Sequence, residues 1–314
     1  MISKTAFRGI KIALALLILG ALIWTIRPAQ IGQAFLTADL SLIILAFILM
    51  PVNLYLQIYK WHYMVKWIRP ASTFSEAMRE FLISLAIGFS TPGRIGEYSR
   101  AFFVKKTDWV IAMGVVAVDK IYTMLIVIGI GGWTALLFLS EFPFIATLNG
   151  TIKIILELFF TILLISPIFP ELFKAWVLKI GGHFPQDHPL HRLIYGLEIL
   201  NNQRGRKVFL LSFAAYLIFS FQFYILVNAF EKVPVQAGAI TIPTVFFIKT
   251  ILPISIGDLG IREGASVFFF KKFSVSSAAA FNGPILLFVI NLLIPGLAGL
   301  YFLIKEKHPL RGRS

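Results

Sequence analysis

Two stretches of this chain join arginine and carboxylate to glycine and proline inside otherwise apolar sequence. The first is Ser90-Thr91-Pro92-Gly93-Arg94-Ile95-Gly96-Glu97, with Arg100 one turn on; the second is Pro253-Ile254-Ser255-Ile256-Gly257-Asp258-Leu259-Gly260-Ile261-Arg262-Glu263. Charge and irregular backbone at bilayer depth are tolerated where protein or a wet cavity surrounds them. A helix restarting after such a break presents free N–H groups and the positive end of its dipole. Arg94 and Arg262 add guanidinium forks that match phosphate oxygens bidentately, while Gly93, Gly96, Gly257 and Gly260 admit a ligand close to the backbone. The chemistry expected is binding of an anionic, phosphate-bearing headgroup. Glu97, Asp258 and Glu263 either hold the arginines, line a polar passage or carry a proton.

The elements that position these residues follow from composition. Hydrophobic residues make up 58% of the 314, mean hydropathy is +0.84 and only 14% are charged, more apolar material than a soluble core of this length hides. The expected class is an all-α polytopic membrane protein. Six crossings are expected, at Ile10 to Ile26, Leu40 to Gln57, Val110 to Gly131, Ile152 to Pro167, Val208 to Asn228 and Ala278 to Leu303. The first follows Lys4, Arg8 and Lys11 and lacks a small-residue cleavage pattern, so it reads as a retained signal anchor. Between crossings, Ala77 to Phe103 and Ala239 to Phe270 are each cut by one charged run and read as re-entrant helix–loop–helix hairpins. With that topology, 21 of the 29 Lys and Arg fall on one face and six on the other. Both termini are then expected in the cytoplasm, in a cell (inner) membrane.

Sliding the chain on itself by 166 residues superposes Glu97 on Glu263, Phe102-Phe103 on Phe268-Phe269 and Lys105-Lys106 on Lys271-Lys272. An odd number of crossings separates the hairpins, so the expectation is an inverted-topology repeat of the kind that places a site near the midplane. The chain then divides into two leading crossings within 1–60, a first repeat over 74–139, a cytoplasmic loop over 169–207 and a second repeat over 237–304. Within the loop, Leu190 to Asn201 suits an interfacial helix.

Other polar groups join the candidate site. Asp119-Lys120 lies inside the third crossing, where a charged pair faces the bundle interior, and Lys249 precedes the second break. Asn53, Gln57, Gln222, Asn228, Asn282 and Asn291 are equally interhelical glue or ligand contacts. The plainer reading of the Arg/Glu runs is a local ion pair, such as Glu97 with Arg100, closing a helix end. Cysteine is absent, which excludes thiolate catalysis and disulfides. His183, His188 and His191 sit in a Pro-containing loop without the fixed spacing of a metal site. No metal and no cofactor are expected.

The two motifs, from Pro92 to Arg100 and from Leu252 to Ala265, resemble the signature segments of the lysylphosphatidylglycerol synthase transmembrane-region family, also called flippase-like, and the resemblance extends from the first crossing to Leu303. It implies inverted repeats, broken helices and movement of lipids between leaflets. The chain departs from the family pattern at Ile256 and Asp258, where proline and glycine are usual, and at Asp119-Lys120, where a Glu-Arg pair is usual. No aminoacyltransferase domain follows Lys305, so that transfer activity is not implied. The leading expectation is a translocase for a phosphate-bearing lipid, with membrane lipids as partners and no nucleic acid. The alternatives are an intramembrane enzyme using Glu97, Asp119 or Glu263, and a lipid-binding scaffold.

Overall fold

A computed structural model describes residues 28–89, 91, 93–139, 150–171, 174, 189–252 and 259–305. The expected crossing at Ile10 to Ile26, and with it Gly257, Asp258, His183 and His188, lies outside the described residues.

Twelve α-helices are described: α1 Pro28–Leu36, α2 Leu40–Val65, α3 Phe74–Phe89, α4 Arg100–Phe103, α5 Trp109–Leu139, α6 Gly150–Ile165, α7 Pro189–Glu198, α8 Asn202–Phe230, α9 Val235–Ile251, α10 Ile261–Phe270, α11 Ser277–Phe288 and α12 Ile294–Lys305. Among the described residues there is no strand. Five stretches are long and apolar enough to span a bilayer: α2, α5, α6 with its 3₁₀ extension to Ile168, α8, and α11 running into α12. These are the five expected crossings that fall among the described residues, and the protein is an all-α polytopic membrane protein.

Local signals set the helix ends. Asp39 caps α2, accepting from the Ser41 N–H at 2.9 Å. At the start of α3, Thr73 and Glu76 form a reciprocal box: the Glu76 N–H donates to Thr73 Oγ1 at 3.3 Å, and the Thr73 N–H donates to Glu76 Oε2 at 3.1 Å. Helix α3 then stops where Gly93 and Arg94 take left-handed φ of 57° and 56°. Thr91 ties the turn, its Oγ1 accepting from the Gly96 N–H at 2.7 Å, and a 3₁₀ turn over Ile95–Ser99 leads into α4.

The arms of each broken segment fold back on one another. In the first, a Cβ on Gly88 would sit 2.6 Å from Glu97 Cγ, and one on Gly96 would sit 2.5 Å from the Ile87 carbonyl oxygen. In the second, α10 packs along α9.

Three long-range pairings organise the bundle: α2 with α8, α3 with α12, and α9 with α5. The last two depend on glycine. A Cβ on Gly299 would lie 1.9 Å from the Leu82 carbonyl oxygen, and one on Gly131 would lie 2.4 Å from that of Pro243. Small residues that let helix backbones touch supply van der Waals packing where lipid weakens the hydrophobic drive between helices. Two buried apolar clusters result. One centres on α8, α9, α10 and α11, with Phe223, Phe246 and Phe270; the other centres on α2, α3 and α5, with Trp61, Phe81 and Val115. Between α11 and α12 a π turn over Val289–Leu293 turns Asn291 toward the space separating the clusters. In the expected loop, α7 packs against α5, with Gly196 backed onto the Gly114 backbone.

Candidate functional site

Between the two clusters lies a cavity of about 160 Å³. Three cations reach its wall from three elements: Lys60 from α2, Arg94 from the broken turn after α3, and Lys249 from the end of α9. Amides and hydroxyls complete the polar lining. Gln57 Nε2 donates to Asn53 Oδ1 at 3.2 Å, and Asn53 Nδ2 donates to Asn291 Oδ1 at 3.3 Å, so three carboxamides form one strip across α2 and the π turn. Ser212 and Thr123 stand beside the Lys60 ammonium, which donates to Ser212 Oγ at 3.0 Å and to Thr123 Oγ1 at 3.5 Å.

Behind this wall runs a network of buried charges. Asp119 on α5 receives Lys60 at 2.7 Å and also pairs with Arg100. Arg100 is 1% exposed, and its guanidinium lies over the Trp61 ring, 4.4 Å from the centroid. Trp61 Nε1 donates in turn to Glu80 Oε2 at 2.9 Å. The next residue on α5, Lys120, pairs with Glu97, and Glu97 also pairs with Arg94. Burial of these ions is compensated by partners on neighbouring elements, the condition under which ionised groups persist in a low-dielectric interior. The Asp119-Lys120 doublet therefore clamps the first hairpin from the side: one residue holds Arg100, the other holds Glu97.

The sequence-predicted residues divide into groups. Arg94 and Lys249 meet at the cavity, and Glu97, Arg100, Asp119 and Lys120 form the network beside it. Arg262 and Glu263 pair with each other, Nε to Oε1 at 3.1 Å, at 3% and 0% exposure, with the guanidinium 5.9 Å from the Phe288 ring centroid. They are not among the cavity-lining residues. Glu263 also accepts the Gly260 N–H at 2.6 Å, where Gly260 has a φ of 91°, and so caps α10. At Gly96 the close approach is that of the two arms of the hairpin. The Glu97–Arg100 ion pair of the plainer reading gives way to pairs with α5.

Lys60 is a cavity residue that lies beyond the expected crossing of Leu40 to Gln57, because the helix continues to Val65. The signal that finds it is the spacing of Asn53, Gln57 and Lys60, at i, i+4 and i+7, which puts all three on one face. Among the described residues no cluster of His, Asp and Glu gathers in a way that would hold a metal ion.

Comparison with known families decides the affiliation, since residues 10–299 match the lysylphosphatidylglycerol synthase TM region. The chain belongs to that family. Membership in the lysylphosphatidylglycerol synthase TM region family places the protein among membrane proteins with a lipid-related, flippase-like role in general. The family match spans both broken segments, α2 with its polar stripe, and α5 with its charged doublet. No curated protein and no solved structure matches the chain.

Proposed function

We propose that the protein is a translocase that carries a phosphate-bearing lipid, a phospholipid or a polyprenyl-phosphate-linked lipid, between leaflets. The observation that carries this reading is the convergence of Lys60, Arg94 and Lys249 on one cavity with the Asn53–Gln57–Asn291 strip. Cations bind phosphate oxygens, and carboxamides bind the ester and hydroxyl oxygens around them. The tails would stay in the bilayer. The two broken segments are read as re-entrant hairpins belonging to inverted repeats. Supporting this, the first arm of each packs on the crossing that follows the other, α3 on α12 and α9 on α5, each through a glycine set against a carbonyl. Rocking of one repeat against the other would expose the cavity to alternate sides. On this reading both termini would lie in the cytoplasm, where the basic face would gather anionic lipid at roughly 1 kcal/mol per Lys or Arg near the surface.

The test is leaflet exchange of fluorescent phosphatidylglycerol in liposomes holding the purified chain, compared with Arg94→Gln, Lys60→Met and empty vesicles. Exchange by the intact chain that both substitutions slow supports the reading; equal rates in all four samples end it.

A further inference from the structure

Glu80 is a buried carboxylate that the anion site does not use. It is 3% exposed, one oxygen accepts the Trp61 indole N–H, and the other has no hydrogen-bond partner among the described residues. No salt bridge among the described residues includes it. A carboxylate held in this way is desolvated without the compensation that Glu97 and Asp119 receive, which favours its neutral acid. A crevice of about 10 Å³, room for one water, reaches it between Glu76, Arg79, Phe103 and Lys105.

The charged groups around it are Glu76 and Arg79 on its own helix, Arg69 before that helix, Arg100 on α4 and Lys105 beyond α4. Helix α2 contributes Trp61, and on α12, packed along the other side, the ionisable Tyr301 and Lys305 bond each other at the exposed end. One unbroken line of contacts runs from Glu80 through the Trp61 ring to Arg100, then to Asp119 and Lys60 on the cavity wall.

We propose that Glu80 is a proton-binding site whose occupancy is linked to that of the cavity, the link running through Trp61, Arg100, Asp119 and Lys60. The linkage to an anion rests on the function proposed above. When Glu80 is ionised, its charge draws on Arg100 through the Trp61 ring that touches both, in competition with Asp119, and Asp119 holds Lys60. A proton on Glu80 leaves Arg100 to Asp119, loosens Lys60 and readies it for an anion. Coupling of this kind is reciprocal, so an anion at Lys60 raises the proton affinity of Glu80.

Infrared titration of the purified full chain reads the carboxyl directly. The expected result is a protonated-carboxyl band in the wild type that Glu80→Gln lacks. Without any ligand, Lys60→Met should move the midpoint of that band upward by about half a pH unit, about threefold in proton affinity. Lys60→Gln, which keeps a donor for Ser212, provides the same reading should the Met variant fail to fold. Dioctanoyl phosphatidic acid added to the wild type should shift the midpoint in the same direction, and an equal shift with inorganic phosphate would identify the ligand as free phosphate. Absence of a Glu80-dependent band overturns the proton site, and a midpoint indifferent to both Lys60 substitutions overturns the link. A midpoint that answers to Lys60 but to neither phosphate compound sinks the anion reading and leaves the internal link standing.

Discussion

Lys60 and Asp119 come from helices α2 and α5 and meet at 2.7 Å behind the cavity wall, with side chains 6% exposed on both sides. Asp119 holds Arg100 at the same time. One carboxylate therefore balances two cations, one facing the cavity and the other bracing the first broken segment.

Loss of that carboxylate should be far more damaging than loss of either cation. Asp119→Asn leaves Lys60 and Arg100 buried without a counter-charge, at a cost of about 3–5 kcal/mol. Lys60→Met leaves Asp119 with Arg100 and should cost less. Thermal unfolding in detergent checks the order, and in a double-mutant cycle the two changes together should cost less than their sum.

Arg94 and Lys249 touch the cavity from different hairpins. If each contributes one charge-assisted hydrogen bond to a phosphate, worth about 1.5–3 kcal/mol, Arg94→Gln and Lys249→Gln should each weaken binding of dioctanoyl phosphatidic acid by about tenfold or more. Isothermal titration of the folded variants measures it, and unchanged affinity in both would remove these residues from the site.

The two glycine contacts make a paired prediction. Gly299→Ala and Gly131→Ala each drive a methyl into a carbonyl of the facing helix, at a cost of about 1–3 kcal/mol. Gly32→Ala, with open space around its Cβ position, should leave the melting temperature unchanged or slightly raised, since alanine is the better helix former.

Arg262 and Glu263 form a closed buried pair, so either single apolar substitution should destabilise strongly and the double substitution Arg262→Met with Glu263→Met should recover part of the loss. The recovery will be incomplete because Glu263 also caps α10. Melting temperatures of the three variants decide this.

At the other end of the first hairpin, Arg69 hydrogen-bonds Glu76 at 3.0 Å and the Thr73 N–H adds a second bond. These hold the Glu76 carboxyl below the usual carboxylate range. A lowered folded-state value means that the stabilisation is present above the unfolded-state value, near 4.3, and is lost as pH falls through the folded-state one. Glu76→Ala should thus lower the melting temperature at pH 7 and converge on the wild type in acid.

Class and crossings were legible in the sequence because burial in lipid demands long unbroken apolar runs, and α2, α5, α6, α8 and the α11–α12 span are such runs. The breaks were legible as well: Gly93 and Arg94 take the left-handed backbone that ends α3, and glycine beside proline signals such an ending. The partners were not. Arg94 and Arg262 look equivalent in their motifs, yet one lines the cavity while the other is consumed by its neighbour Glu263. That difference depends on the direction in which each restarted helix faces, which local spacing does not specify. Lys60 could be counted from the sequence but not placed, because the energy that draws it inward comes from Asp119 and Ser212, 59 and 152 positions away. Apolar patterning is a property of consecutive residues, whereas the pairing of buried charges depends on which helices become neighbours, and only the tertiary packing decides that.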